Sequence, residues 1–296
     1  MMRKVSSILV KWGHRFWLPL ILTIGMLGVA LTLILLLLNQ DQVTVAIPNI
    51  PIHKTAGVTG VSEGVLNEGE HLTILQRQNG WYEVRRSDES KGWVASWLVN
   101  RTKPINITPL SESTIVLDPG HGGSDSGALS TGGKEEKVYT LQLAKKVQSS
   151  LEATGARVLM TRTNDQIVYL SKIPLVGENA DANAEISFHF DSSPDANTAS
   201  GFTAYYYHKD NGSDVLAKYI NDAMAPKMPL ENRGVEYANY LVLRDNKIPA
   251  ILLENGYIND DHDFSYIKKS SYQETIAKQI TIGLNNYFSD LQKNAK

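Results

Sequence analysis

The chain has 296 residues, 20% of them charged, and no cysteine. That length suggests about two globular domains, the composition excludes a disordered chain, and the missing cysteines exclude disulfides, thiolate metal sites and a cysteine nucleophile. The formal net charge of −2 is uneven: residues 1–38 carry Arg3, Lys4, Lys11 and Arg15 and no acid, leaving 25 basic against 31 acidic residues in the remainder and no basic stripe for nucleic acid.

Phe16 to Leu38 is one uncharged apolar run. At about 1.5 Å per residue it can cross a hydrocarbon core roughly 30 Å thick. The basic residues precede it, and the next one is Lys54. The positive-inside rule therefore predicts a cytoplasmic N-terminus at 1–15, a single transmembrane helix at 16–38 and an extracytoplasmic remainder at the cell membrane. Trp12 and Trp17 suit the interface. A cleaved signal peptide is the competing reading, but the run is long for one and no small-x-small site follows Leu38.

Asn39 to Gln42 is a polar connector. Residues 43–101 read as a small β-rich domain. His71–Leu75 alternates as a strand, Asn79-Gly80 signals a hairpin, and Trp81–Val84 is the returning strand. Lys91–Val94 and Trp97–Val99 complete it as short strands. Spaced aromatics and tight turns predict a small antiparallel barrel. Residues 102–113 hold two prolines and no periodicity, and read as a linker.

From Thr114 to about residue 290 strands alternate with helices. Ile115–Leu117 is a strand, followed by a helix from about Glu135 to Glu152 that Thr154-Gly155 ends. Further strands are predicted at Arg157–Thr161, Glu185–His189, Gly201–Tyr207, Leu241–Leu243 and Ala250–Glu254. Further helical stretches are predicted near Leu170–Asn183, after a Ser213 cap to about Ala223, and at Tyr272–Phe288. The alternation implies an α/β domain with a mostly parallel sheet flanked by helices.

Three of these strands end on an ionisable residue. Ile115–Leu117 runs into Asp118-Pro119-Gly120-His121, Ile186–Phe188 into His189, and Ala250–Leu253 into Glu254. In open α/β sheets ligands bind outside the carboxyl ends of strands. Gly122 and Gly123 let the backbone turn and are expected to leave room beside His121. Glu136 lies in the first helical turn, where a carboxylate could also serve only as a cap. Two imidazoles and one carboxylate suffice for a catalytic zinc, which acidifies water and polarises a carbonyl. A further carboxylate could carry the proton to a leaving amine. Ser187 shares a strand face with His189, but no Gly-x-Ser-x-Gly elbow supports a serine mechanism.

Two resemblances follow. Gly69-Glu-His-Leu-Thr-Ile-Leu75, Gly80-Trp-Tyr-Glu-Val84 and Gly92-Trp-Val-Ala-Ser-Trp-Leu98 resemble a bacterial SH3-like (SH3b) domain, which implies possible wall binding. Its first strand, Ile52-His-Lys-Thr-Ala-Gly57, departs from that family's pattern. Asp118-Pro-Gly-His-Gly-Gly-Ser-Asp125, Glu136-Lys-Val-Tyr-Thr-Leu141, Val158-Leu-Met-Thr-Arg-Thr163, Ile186-Ser-Phe-His189, Asn232-Arg-Gly-Val235 and Pro249-Ala-Ile-Leu-Leu-Glu-Asn-Gly-Tyr-Ile-Asn259 resemble, in order, the zinc-dependent N-acetylmuramoyl-L-alanine amidases of the Amidase_3 family. This resemblance implies a peptidoglycan hydrolase that cuts between N-acetylmuramic acid and L-alanine. It implies zinc ligands at His121, Glu136 and His189 and a catalytic glutamate at Glu254. The chain departs from the family at Phe190-Asp191-Ser192, at Asn255 and at Ile173-Pro174, and Phe190 and Asn255 are expected to alter substrate fit. Some members carry a zinc-blocking helix between the positions of His189 and Glu254, and no such insertion is visible.

Among the remaining polar residues, Asp118 is read as a partner of His121 or an anchor of its own turn, and Arg162 as structural. Arg233 is read as a substrate contact or a loop anchor, and His53, His71, His208 and His262 as outside any cluster. The alternatives to the enzyme are an inactive wall-binding scaffold, or a peptidase cutting elsewhere in the stem. An unchecked wall hydrolase is hazardous, so a multi-pass membrane regulator docking on the span is a further expectation.

Overall fold

A computed structural model describes Trp17, residues 19–36 and residues 41–295. The expected cytoplasmic segment 1–15, and Phe16, Leu18 and residues 37–40 of the expected span and connector, lie outside the described residues. Pro19–Leu36 forms helix α1, with a mean hydropathy of 2.5 and none of it buried against protein. By length and composition it can cross a membrane.

The barrel is a six-stranded antiparallel sheet. Its strands are β1 (Gln42–Thr44), β2 (Ile50–His53), β3 (Ser62–Leu66), β4 (His71–Gln78), β5 (Trp81–Arg85) and β6 (Lys91–Ala95), in the order β1-β4-β5-β6-β2-β3. Asn79 and Gly80 take positive φ values of 46° and 87°, which is what a tight β4–β5 hairpin turn requires. Leu66, Leu72, Val84, Val94 and Leu98 fill the interior. The expected last strand is instead one helical turn, α2 (Ser96–Val99), which drops Leu98 and Val99 into that interior.

The second sheet is built from β7 (Thr114–Pro119), β8 (Arg157–Met160), β9 (Ala184–Asp191), β10 (Phe202–Tyr206), β11 (Asn232–Tyr237) and β12 (Ala250–Tyr257). Its order is β11-β10-β12-β9-β7-β8, parallel throughout except between β10 and β12. Helices α3 (Glu136–Thr154), α5 (Ser213–Met224) and α8 (Ser270–Asn294) cover one face over a large apolar core. The other face carries only the short helices α4 (Ile173–Ala180) and α6 (Leu241–Arg244); α7 (Asp261–Ile267) follows β12. Gly155, at φ 95°, ends α3 as expected.

Three local expectations need correction. Leu241–Leu243 is helical, with Arg244 N–H bonded to Tyr240 O at 2.8 Å, because Val242 and Leu243 both pack into the small core under β12. An apolar run that short fits either period. β11 is an edge strand of polar, exposed residues and gave no apolar signal. Ser213 does not cap α5; Gly212 does, at φ 86°, while Ser213 Oγ bonds Asn211 Oδ1 and accepts Ala250 N–H.

The barrel docks on the amino-terminal edge of the second sheet. Trp97 Nε1 donates to Ser111 O at 2.9 Å, Arg157 lies over the Trp97 ring and donates to Asn79 O, and Val58 enters the large core of the α/β domain. Residues 102–113 pack between the two bodies: Ile105 and Ile107 lie against the barrel, and Leu110 belongs to the α/β core. His53, which sequence left without a partner, is fully buried with Nε2 2.8 Å from Glu112 Oε1 and Nδ1 2.9 Å from Gly60 O. Burial opposes the charge on His53, but Glu112 outweighs it and raises the imidazole above its ordinary value. Removing one partner of a buried pair strands the other in a dry site. Glu112→Ala should therefore cost about 3–5 kcal/mol in denaturant unfolding. His53→Leu/Glu112→Leu should cost clearly less than the sum of its single variants.

Candidate metal centre

β7 and β9 are neighbours, and β9 pairs with β12, so their carboxyl ends meet at one edge. Glu254 lies opposite His189 in the β9–β12 register, and Pro119 opposite Phe188 in β7–β9. After Pro119 the chain turns, held by Gly120 N–H to Phe188 O. Arg162 braces the turn from beneath, donating to the carbonyls of Pro119, Gly120 and Lys137. It is the structural residue expected. His121 follows at φ 63°, a conformation that costs a non-glycine residue energy and aims its ring back over the sheet edge.

Three expected residues come together. His121 Nε2 is 3.0 Å from Glu136 Oε2, and His189 Nδ1 is 3.1 Å from Glu136 Oε1. The two imidazoles meet edge to face at 4.8 Å. Glu136 is only 2% exposed, and its carboxylate also accepts the N–H groups of Ala128 and Phe190. Burial works against its charge, but the two histidines outweigh it and hold the carboxyl down to about 2. Burial likewise opposes a charge on His121, while Glu136 and Asp125 together push it up to about 9. Candidate ligand atoms of His121, Glu136 and His189 all lie within 4.8 Å of one another. A divalent cation suits such a set of two imidazoles and one ionised carboxylate.

Glu254 stands beside this trio in the opposite electrostatic state. Its Oε2 is sealed from solvent and has no hydrogen-bond partner among the described residues. Burial, then the carboxylates of Glu136 and Asp191, raise it well above the ordinary carboxylate range. A cavity of about 280 Å³ opens over His121 and His189, walled by Ile167, Tyr169, Leu170 and Val242.

Several second-order expectations change. Asp118 does not orient His121; it accepts from Thr161 Oγ1 and Ser187 Oγ and ties three strands together. Asp125 takes the orienting position, with Oδ2 2.9 Å from His121 Nδ1. The signal for it was available, since Asp125 closes the same loop four residues on. Ser187 is buried and bonded to Asp118, so it presents no nucleophile. Gly122 and Gly123 do not leave open space, because a side chain on either would meet Gln166 or Ile167 of the next loop. Gly120 and Gly127 make room instead: a Cβ on Gly120 would strike the His189 ring, and one on Gly127 would lie 2.6 Å from Glu136 Oε2. Phe190 points into the core, away from substrate, and Asn255 is buried with Nδ2 bonded to Leu253 O and His189 O. Arg233 lies over the Tyr257 ring and near Ser200 O, outside the trio. His71, His208 and His262 contact Thr44, Arg244 and Asp263 and remain apart from it. Asp260, His262 and Asp263 form a second group, but Asp263 is already occupied by Ser200 Oγ and the Gly201 and Tyr257 N–H groups.

The sequence pattern described as N-acetylmuramoyl-L-alanine amidase matches residues 115–286, and that of the bacterial SH3 domain matches residues 52–100. The chain is 41% identical over 231 residues to the "Probable cell wall amidase LytH" of Staphylococcus epidermidis, covering 76% of this chain and 77% of that one. Among solved structures, the N-acetylmuramoyl-L-alanine amidase AmiC2 of Nostoc punctiforme is 34% identical with a TM-score of 0.56, covering 59% of this chain and 96% of that one. The N-acetylmuramoyl-L-alanine amidase of Clostridium difficile is 31% identical with a TM-score of 0.57, at the same two coverages.

The ionic cluster fixes a pH window for the metal-free protein. His121 is raised from 6.5 to about 9, so its contribution is complete below 6.5 and is lost as pH rises through about 9. Glu136 is lowered from 4.5 to about 2, so its contribution is complete above 4.5 and is lost as pH falls through about 2. Thermal unfolding of the metal-free chain should show its highest cluster-dependent Tm between these limits, and His121→Ala should flatten the alkaline decline. An unchanged alkaline decline in that variant would remove the assignment.

Proposed function

Because the chain belongs to the Amidase_3 family of N-acetylmuramoyl-L-alanine amidases, we propose that it is a zinc enzyme held at the outer face of a membrane. It cleaves the amide between the lactyl group of N-acetylmuramic acid and L-alanine of the stem peptide. Peptidoglycan amidase activity follows from the family; the zinc ligands His121, Glu136 and His189 and the catalytic role of Glu254 are our reading. The observation that carries it is the contrast at one sheet edge between Glu136, ionised between two imidazoles, and Glu254, whose proton affinity burial has raised.

Held by His121, Glu136 and His189, zinc would supply a Lewis acid that lowers the pKa of water and polarises the amide carbonyl. The chain supplies the rest. Glu136 contributes the negative charge, and its two backbone N–H bonds keep the carboxylate from rotating away. Asp125 holds His121 by Nδ1 and leaves Nε2 directed at the site. Glu254 takes a proton from the attacking water and returns it to the leaving L-alanine nitrogen, a task for which a raised carboxyl is suited near neutral pH. Ile167, Leu170 and Val242 give the cavity an apolar wall beside His121 and His189.

Helix α1 supports a single-pass anchor, with the N-terminus cytoplasmic and the enzyme confined to nearby wall. The same span offers a surface for a multi-pass membrane regulator. That reading predicts reduced cellular activity when an unrelated span replaces residues 16–38, and it is lost if the exchange is silent.

His121→Ala should lose bound metal and hydrolysis together. Glu254→Ala should retain the metal and lose about 10²–10⁴-fold in rate. Metal content by elemental analysis, and mass spectrometry of peptidoglycan digests, read these outcomes. The expected products are stem peptides with a free L-alanine amino group and glycan that retains its lactyl carboxylate. Stem peptides cut at any other bond would replace the amidase assignment with a peptidase.

A further inference from the structure

Resting on the amidase reading above, we propose that a strip of tyrosines on β10, β11 and the entry to α6 binds the glycan strand of the substrate. Thr203 lies opposite Glu254 and Tyr205 opposite Leu252 in the β10–β12 register. Strand alternation therefore puts Thr203 and Tyr205 on the face that carries Glu254. Tyr240, 41% exposed, meets Tyr205 edge to face at 5.5 Å. Two residues after Tyr240, Val242 walls the cavity over His121 and His189, which places the strip beside that cavity. Running away from Glu254, Tyr207 stacks against Tyr237 at 5.2 Å and an interplanar angle of 33°, and Tyr237 is 59% exposed. From Thr203 to Tyr207 the strand rises about 13 Å, room for a short run of sugar rings.

The bond to be cut joins a sugar-borne lactyl group to a peptide, so two different arms leave the reaction site. Aromatic faces suit the apolar C–H faces of pyranose rings, and their hydroxyls reach sugar hydroxyls. Ring chemistry decides between the arms: a row of aromatic faces matches successive pyranose faces along a glycan, and a stem peptide offers no such repeat. None of the four rings lies in the large core under α3, α5 and α8; Tyr205 and Tyr207 rest on the small core beneath β12, while Tyr237 on the edge strand stays 59% exposed.

Full-length protein in detergent micelles is assayed on uncrosslinked, stem-bearing glycan strands and on a single disaccharide-peptide. Tyr237→Ala should lower the ratio of kcat/KM on strands to that on the disaccharide-peptide by about tenfold, through KM. Tyr237→Phe should restore the ratio, because stacking needs the ring. In a separate binding measurement, peptide-free glycan strands should bind the wild type and lose about tenfold affinity for Tyr237→Ala. An unchanged ratio with unchanged glycan binding overturns the proposal. So does Tyr237-dependent binding of free stem peptide in place of glycan. If the wild type cleaves neither substrate at this bond, the amidase reading fails, and the glycan-binding measurement still judges the strip.

Discussion

The site depends on the burial of one carboxylate. Glu136 is 2% exposed yet ionised, and a buried anion is tolerated only when its oxygens are met by donors or cations. Four partners from two separate segments do this: His121, His189, and the backbone N–H groups of Ala128 and Phe190. The loop after β7, the end of β9 and the first turn of α3 are thus obliged to converge. The glycines that permit it are Gly120, against the His189 ring, and Gly127, against Glu136 itself. Arg162 closes the arrangement by donating to two carbonyls of the turn and to Lys137 O in the first turn of α3.

Topology then separates the chemistry from the barrel. β7, β9 and β12 are consecutive in the sheet, and their carboxyl ends carry His121, His189 and Glu254. The barrel holds the opposite edge, through Trp97 to Ser111, Arg157 to Asn79 and the buried His53–Glu112 pair. It does not line the reaction cavity, and any wall it binds is held at a distance from the reacting bond. Segment 102–113 bridges the two: Leu110 lies in one core while Ile105 and Ile107 lie against the other.

The parts legible in sequence were those with a local grammar. Three apolar runs leading to His121, His189 and Glu254 do bring those residues to one edge, although β9 runs on to Asp191, β12 runs on to Tyr257, and His121 lies in the loop after β7. The Asn79-Gly80 turn and the Gly155 stop are also local. What sequence hid was decided by tertiary partners. His53 and Glu112 are 59 residues apart, and nothing near either one announces the other. Leu241–Leu243 could follow either period until the small core beneath β12 selected a helical turn. β11 is an exposed edge whose polar residues show no apolar alternation. The glycines beside His121 looked like room for substrate, but their space belongs to the neighbouring Gln166–Ile167 loop.

The two glutamates at the sheet edge show how one edge holds carboxyls in two opposite electrostatic states. They share a residue type and a neighbourhood, yet burial acts on them with opposite results because their partners differ. Glu136 faces two imidazoles and two N–H groups, which outweigh its desolvation. Glu254 meets no donor at Oε2 and has the carboxylates of Glu136 and Asp191 nearby, so desolvation and like charge add. A carboxyl held ionised suits a fixed metal ligand, and one whose proton is readily gained and given up suits proton transfer. Glu136 itself contributes to raising Glu254. The buried charge of Glu136 is therefore also one source of its neighbour's raised proton affinity.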